Sequence, residues 1–372
     1  MLSRSALGLY WIGRYLERAQ HACRLIADQF ETMKDRPVDE IDKGWRRLYG
    51  GLGRVPVGGA LSSNLDDERF MLVDAFTLAD DLTFEAGNPD SIRSSLANAR
   101  ENARQVRHVV DEDLWSCLNL AFFDLRDLGI ADIWQDRPSE FYRRTEDAVR
   151  TFFGIAESNM YRDDGWHFLQ LGRFVERAQL LSALLEAQLA VYPAGGPDAD
   201  PVTDGETSDA ETSDAEGSDG VADAAADAGP VGDPAADQAA DQAADPDWLS
   251  LLRICAARDA YGRLHSLHYD PAAVVDFLVA DPLLSRSIRY ALAQVCAALD
   301  AVSAGRPLIA EAGRRAGRLA ASIDYDWPNR DPADEDAIRA TLRGIGDSCR
   351  RLHDDIDAAY FSYGLGDGED GR

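Results

Sequence analysis

"GRFVERAQ" (residues 172–179) lies inside "HFLQLGRFVERAQLLSALLEAQL" (167–189), which is apolar almost all the way round when wound as a helix at about 100° per residue. Phe168, Leu171, Val175, Ala178, Ser182 and Leu185 make one stripe; Leu169, Leu180 and Leu184 lie on the other side, flanking Glu176. A helix apolar on all sides is a buried helix, so this segment is expected at the centre of the fold. Glu176 is then taken out of water, where an unpaired carboxylate costs several kcal/mol. It needs a cationic partner, and Gly172, one turn earlier, leaves room for a close approach.

Nearly the same phrase, "GRYLERAQ", occupies 13–20, with six of eight positions identical. Leu9, Ile12, Leu16, Ala19, Cys23 and Ile26 form a core-facing stripe there, and Glu17 stands well off it, beside Gly13 and Arg24. Taken alone, this copy reads as an exposed helix pair between Glu17 and Arg14, worth about 0.2–0.5 kcal/mol. A partner for the buried carboxylates is visible in "SIRSSLANARENARQVRHVV" (91–110), where Arg93, Arg100, Arg104 and Arg107 line up beside an apolar face. Two readings stay open. Either these guanidiniums pair with Glu17 and Glu176 and fix how the helices dock, or they hold an anionic ligand in a groove between helices.

Helical spacing recurs over 3–34, 66–86, 90–110, 111–128, 139–159, 163–191, 248–268, 271–280, 285–303, 306–321 and 333–363. "NPDSIR" (88–93), "RPSEF" (137–141) and "DPLLSRS" (281–287) carry turn and cap chemistry at helix starts. No run alternates with the period of a strand, so the expected class is all-α: a multi-helix bundle with two related Glu-Arg helices. Residues 194–247 hold 16 acidic side chains and no basic one. With so few large apolar residues, 193–247 is expected to be a disordered acidic insert. It would divide one domain into an N-terminal part (1–192) and a C-terminal part (248–365), followed by a flexible tail (366–372).

The net charge is −28, and −12 remains when 194–247 is set aside, which argues against nucleic acid as a general partner. Only Lys34 and Lys43 are lysines; the other 36 basic residues are arginines. An acidic, lysine-poor chain suits a salt-rich cytoplasm, where charge repulsion is screened; a GC-rich coding sequence would also favour arginine. The opening segment is broken by Arg4, Arg14 and Glu17 and lacks a signal-peptide pattern. No apolar run reaches the length of a membrane span. Five dispersed cysteines read as reduced thiols, so a cytoplasmic location is expected.

Other motifs promise less. Glu17 and Glu176 are followed three residues later by Gln20 and Gln179 rather than His, so the ligand pattern of di-iron bundles fails, and no metal or cofactor is expected. His265 and His268 lack a third ligand and fit a helix end better. In "RDDGWHF" (162–168), Asp163 or Asp164 is a helix cap, and Arg162 with Asp163 is a candidate mouth for a pocket containing Glu176. "YGGLGRVPVGG" (49–59) lacks the Lys and Ser/Thr of a phosphate loop and is expected to be flexible.

Together, "LYWIGRYLERA" (9–19), "NPDSIRSSLANARENARQVR" (88–107), "MYRDDGWHFLQLGRFVERA" (160–178) and "VVDFLVADPLLSRSIRYAL" (274–292) resemble the Alpha-E family of all-helical proteins. Gln20 and Gln179 depart from the acidic residue common there. The resemblance implies genes neighbouring an ATP-grasp ligase and a transglutaminase-like protease, and so a pathway that makes or cleaves amide bonds. The leading expectation is a non-catalytic helical partner, or substrate-presenting subunit, of an ATP-grasp ligase. One alternative is an enzyme acting on small amides or carboxylates, with Glu176 as acid/base and Arg100, Arg104 and Arg173 as carboxylate clamps. Another is a purely structural bundle. The candidate binding set is Arg14, Glu17, Arg18, Arg93, Arg100, Arg104, Arg107, Arg162, Asp163, Arg173 and Arg177.

Overall fold

The computed structural model describes residues 3–56, 68–134, 137–193, 246–265, 269–303 and 307–361. The expected acidic insert, apart from its edges, and the expected tail fall outside these residues. The first half contains α1 (Ser3–Thr32), α2 (Val38–Gly51), α3 (Glu68–Thr83), α4 (Ile92–Gln105), α5 (Glu112–Arg126), α6 (Ile130–Trp134), α7 (Pro138–Asn159) and α8 (Asp164–Val191). After the acidic stretch come α9 (Pro246–Ile254), α10 (Arg258–His265), α11 (Pro271–Ala280), α12 (Ile288–Val302), α13 (Pro307–Tyr325) and α14 (Glu335–Ile356). Among the described residues there is no strand, and the all-α expectation holds.

The all-round apolar segment forms α8, the hub. Phe168, Leu169, Leu171, Val175, Leu180, Leu184 and Leu185 are buried around its whole circumference. It packs against α1 and α2 from the first half and against α12 and α14 from the second, so both halves share one core. α1 lies beside it and also packs on α4 and α7. Each large apolar side chain taken out of water contributes roughly 1.5–3 kcal/mol, so the apolar wall around the hub can support a costly charged centre.

The helix starts follow the expected chemistry. Ser91 accepts from the Ser94 amide at the head of α4, Asp163 from the Gly165 amide at the head of α8, and Ser287 from the Tyr290 amide at the head of α12. Asp270 likewise caps α11. His268 falls outside the described residues, and among them no cluster of His, Cys, Asp and Glu suits a metal ion.

Two segments differ from the reading. α2 was not among the expected helices, and its last turn falls in the stretch 49–59 expected to be flexible: Gly44, Gly50 and Gly51 hide its helical pattern. Yet Trp45, Leu48 and Tyr49 are buried, and Gly50 lets the helix lie against Ala187 of α8. The span 248–268, read as one helix, is two. The chain turns at Cys255–Ala257, where Ala256 adopts φ 49°. That left-handed conformation costs a residue with a Cβ about 1–2 kcal/mol.

Candidate functional site: a reciprocal Glu–Arg centre

α1 and α8 run side by side in the same direction and touch at their glycines. A Cβ on Gly172 would strike the Tyr10 carbonyl oxygen, and one on Gly13 would strike that of Leu169 and come within 2.8 Å of the Arg173 amide nitrogen. The contact is symmetric: Gly13 meets the second copy's Leu169, and Gly172 meets the first copy's Tyr10, its equivalent. Side-chain-free positions bring the backbones close enough for the next turns to exchange charges.

The exchange is reciprocal. Glu176 accepts from Arg14 Nε at 2.5 Å and from Arg18 Nε at 2.7 Å. Glu17 accepts a two-pronged contact from Arg177, both bonds 2.7 Å, and Arg173 stands 3.5 Å away. Thus the Arg after each motif Glu holds the other copy's Glu, and the first Arg of each phrase supports the same carboxylate. Both carboxylates are enclosed: Glu176 is 0% exposed and Glu17 2%. Burial of Glu176 was foreseen; that of Glu17 was not, because the polar face of α1 is covered as well.

Each carboxylate is balanced between two opposing effects. Burial pushes the Glu176 pKa up, and Arg14 and Arg18 outweigh it, leaving the group at about 2. Burial likewise opposes ionisation of Glu17, and Arg177, Arg286 and Arg173 hold it well below the usual carboxylate range. At neutral pH both are anions with their oxygens occupied.

The second layer breaks the symmetry. On the Glu176 side, Arg18 also binds Asp90, which in turn binds Arg54, and Arg14 Nη2 donates to Gln179 at 3.1 Å. On the Glu17 side, Arg286, just ahead of α12, donates to Glu17 at 3.1 Å and to Gln20 at 3.3 Å. Gln20 passes the network on to Glu146, which is held by Arg24 at 2.6 Å and Arg150 at 2.9 Å. The two glutamines are therefore acceptors for guanidiniums.

The arginine stripe of α4 does not take the part expected of it. Arg93 donates to the carbonyls of Phe84 and Leu128 and lies over the Phe84 ring. Arg100 donates to Asn119 and stacks on Trp115, Phe122 and Phe123, and Arg107 lies over Trp115. Arg104 makes an exposed pair with Glu101 in its own helix. The stripe faces α5, while the apolar face of α4 meets α1; Ile92, Leu96, Ala99 and Ala103 are fully buried there. Its arginines therefore pair with neither motif Glu. Nor do Arg162 and Asp163 reach Glu176. Asp163 caps a helix in which Glu176 lies 13 residues on, about 20 Å away, and Arg162 pairs with Glu157 and stacks on Trp166.

Sequence reasoning missed Asp90, Arg286 and Glu146, and left Arg24 and His21, which share a helix face with Glu17, out of the candidate set. Asp90 and Arg286 lie in the quoted cap segments "NPDSIR" and "DPLLSRS", each one residue ahead of the capping serine that marks the helix start.

Fold and site define an all-helical protein whose two central helices are keyed together by a duplicated Glu-Arg motif. The chain belongs to the Alpha-E family, described as a predicted alpha-helical domain with a conserved ER motif, which it matches over residues 1–361. It is similar to an uncharacterized protein of Mycobacterium bovis, 28% identical over 203 residues, and to one of Mycobacterium tuberculosis strain H37Rv, 27% identical over the same length. The match covers 50% of this chain and only 22% of each relative, so this chain corresponds to a minor part of much longer proteins. No solved structure matches.

Proposed function

We propose that the protein is a non-catalytic helical partner of an ATP-grasp amide ligase, presenting or positioning a substrate. The observation that carries the non-catalytic reading is the state of the motif itself. Both Glu-Arg carboxylates are enclosed, ionised and bound by guanidiniums, so Glu176 has no proton to give near neutral pH and no exposed face to offer a substrate. The motif keys two helices, and the chemistry belongs to another polypeptide. The length of the mycobacterial relatives supports a unit that works in company. The ligase as that company comes from the family resemblance. Among the described residues no helix is long and apolar enough to cross a membrane.

Purification of the tagged chain from its native host at high salt, with mass spectrometry of what accompanies it, tests the reading. An ATP-grasp ligase in near-stoichiometric amount is expected. A chain recovered alone, with amide-forming activity of its own, overturns it.

A further inference from the structure

The Glu17 side of the centre carries a cavity. An inner cavity of about 20 Å³ opens there, walled by Glu17, His21, Arg24, Arg177, Ile254 and Arg286. Arg24 and Ile254 also line an outer cleft of about 290 Å³ between α1, α7 and the α9–α10 turn, with Arg143, Arg150 and Arg253 at its sides.

Charge is out of balance at the inner cavity. Arg173, Arg177 and Arg286 converge on Glu17, and Arg24 stands on the same wall paired to Glu146, which Arg150 also holds, so the guanidiniums outnumber the two carboxylates. Where Arg18 reaches a second carboxylate, Asp90, its counterpart Arg177 reaches only the Ser285 carbonyl, at 2.9 Å. Burial, Arg24 and Arg177 together pull the Arg286 pKa well below its usual range, the mark of a cation short of counter-charge.

Hydrogen-bonding capacity is also left over. His21 Nε2 and Arg24 Nη2 are buried with no partner, on side chains 8% and 6% exposed. Buried polar groups in folded proteins are nearly always satisfied, so two beside one cavity point to a missing ligand; Arg24 Nη2 is a donor, and His21 Nε2 is one in the tautomer that carries its hydrogen there. Burial and Arg24 lower the His21 pKa to about 3, so the ring is neutral and offers a single N–H.

We propose that this cavity is an anion site that takes the carboxylate end of a small polar molecule. Arg24, Arg286 and the His21 N–H hold the carboxylate, and the body of the ligand lies in the outer cleft. The inner space is about that of one or two waters, which suits carboxylate oxygens and is too small for a tetrahedral phosphate. The outer cleft mixes Arg143, Arg150 and Arg253 with Asp28, Glu31 and Asp147, so it suits an uncharged or zwitterionic body. The site stands on its own residues and does not depend on the ligase partnership.

The test is the melting temperature of the full chain at pH 7.5, titrated separately with sodium acetate, glycine, chloride and phosphate. Bulky sodium isethionate holds the ionic strength constant. Acetate and glycine are expected to raise the melting temperature by several degrees and to saturate. The rise should vanish in Arg24→Gln and His21→Phe, each first shown by circular dichroism to keep its helix content. If Arg24→Gln does not fold, His21→Phe decides, since it exchanges one neutral buried ring for another. An equal, unsaturating rise with every salt, unchanged in His21→Phe, overturns the site. Saturation by chloride or phosphate without saturation by acetate overturns the assignment to a carboxylate.

Discussion

Replacing Glu176 by Gln removes one charge and almost no volume from the centre of the bundle. Arg14, 4% exposed, and Arg18 would then lose the only carboxylate both of them reach. Breaking a buried pair by neutralising one partner costs about 3–5 kcal/mol, because the surviving charge stays buried. An independent route gives a similar figure. The carboxyl falls from its usual 4.5 to about 2 on folding, which linkage converts to roughly 3 kcal/mol. The sign is that of a depressed acid: the contribution is complete above pH 4.5 and is lost as pH falls toward 2. Urea unfolding at pH 7 should show Glu176→Gln less stable by about 3–5 kcal/mol. Between pH 4.5 and 2 the gap between wild type and variant should close. His21 lowers stability earlier, as pH drops below 6.5, since its folded pKa is about 3; Glu176 is one of the charges that raise that pKa, so the variant loses slightly more over this range. A loss below about 1 kcal/mol, or a gap that persists at pH 2, would mean that Glu176 is not the buried counter-charge of Arg14 and Arg18.

Three further outcomes follow from packing and burial. Gly172→Ala should cost about 3 kcal/mol or more, because its methyl strikes the Tyr10 backbone, which cannot rotate aside as a side chain does. Gly154→Ala in α7, with nothing within 4 Å of the added methyl, should stabilise by about 0.5–1 kcal/mol in the same urea assay. A thiol reagent applied to the native protein should reach Cys117 and Cys296, which are half-buried, and spare Cys23, Cys255 and Cys349. Burial pushes the thiols of Cys255 and Cys349 to about 12, so only unfolding should expose all five.

The central helix was legible because its apolar residues leave no polar face, and the need of Glu176 for a cation followed directly. The identity of that cation did not. Periodicity places a residue on a face but does not say which helix the face meets or in what register. The arginine row of α4 was the most visible supply of positive charge, yet it turns toward Trp115, Phe122 and Phe123. The partner stood in the repeated phrase itself, one position after each Glu, and only a side-by-side crossing at Gly13 and Gly172 brings it there. α2 escaped notice for a related reason: its glycines lower helix propensity while permitting close contact with α8. Arg286 and Glu146 are distant in sequence from the centre they join, and nothing local marks them.

The exchange between the two motifs is tested most directly by double-mutant cycles in urea, pairing Arg18→Gln with Glu176→Gln and Glu17→Gln with Arg177→Gln, with Arg104→Gln and Glu176→Gln as the control cycle. The reciprocal arrangement predicts coupling of about 1–3 kcal/mol in both crossed pairs and none within error in the control. Crossed pairs that behave additively, or coupling that appears with Arg104 instead, would contradict it.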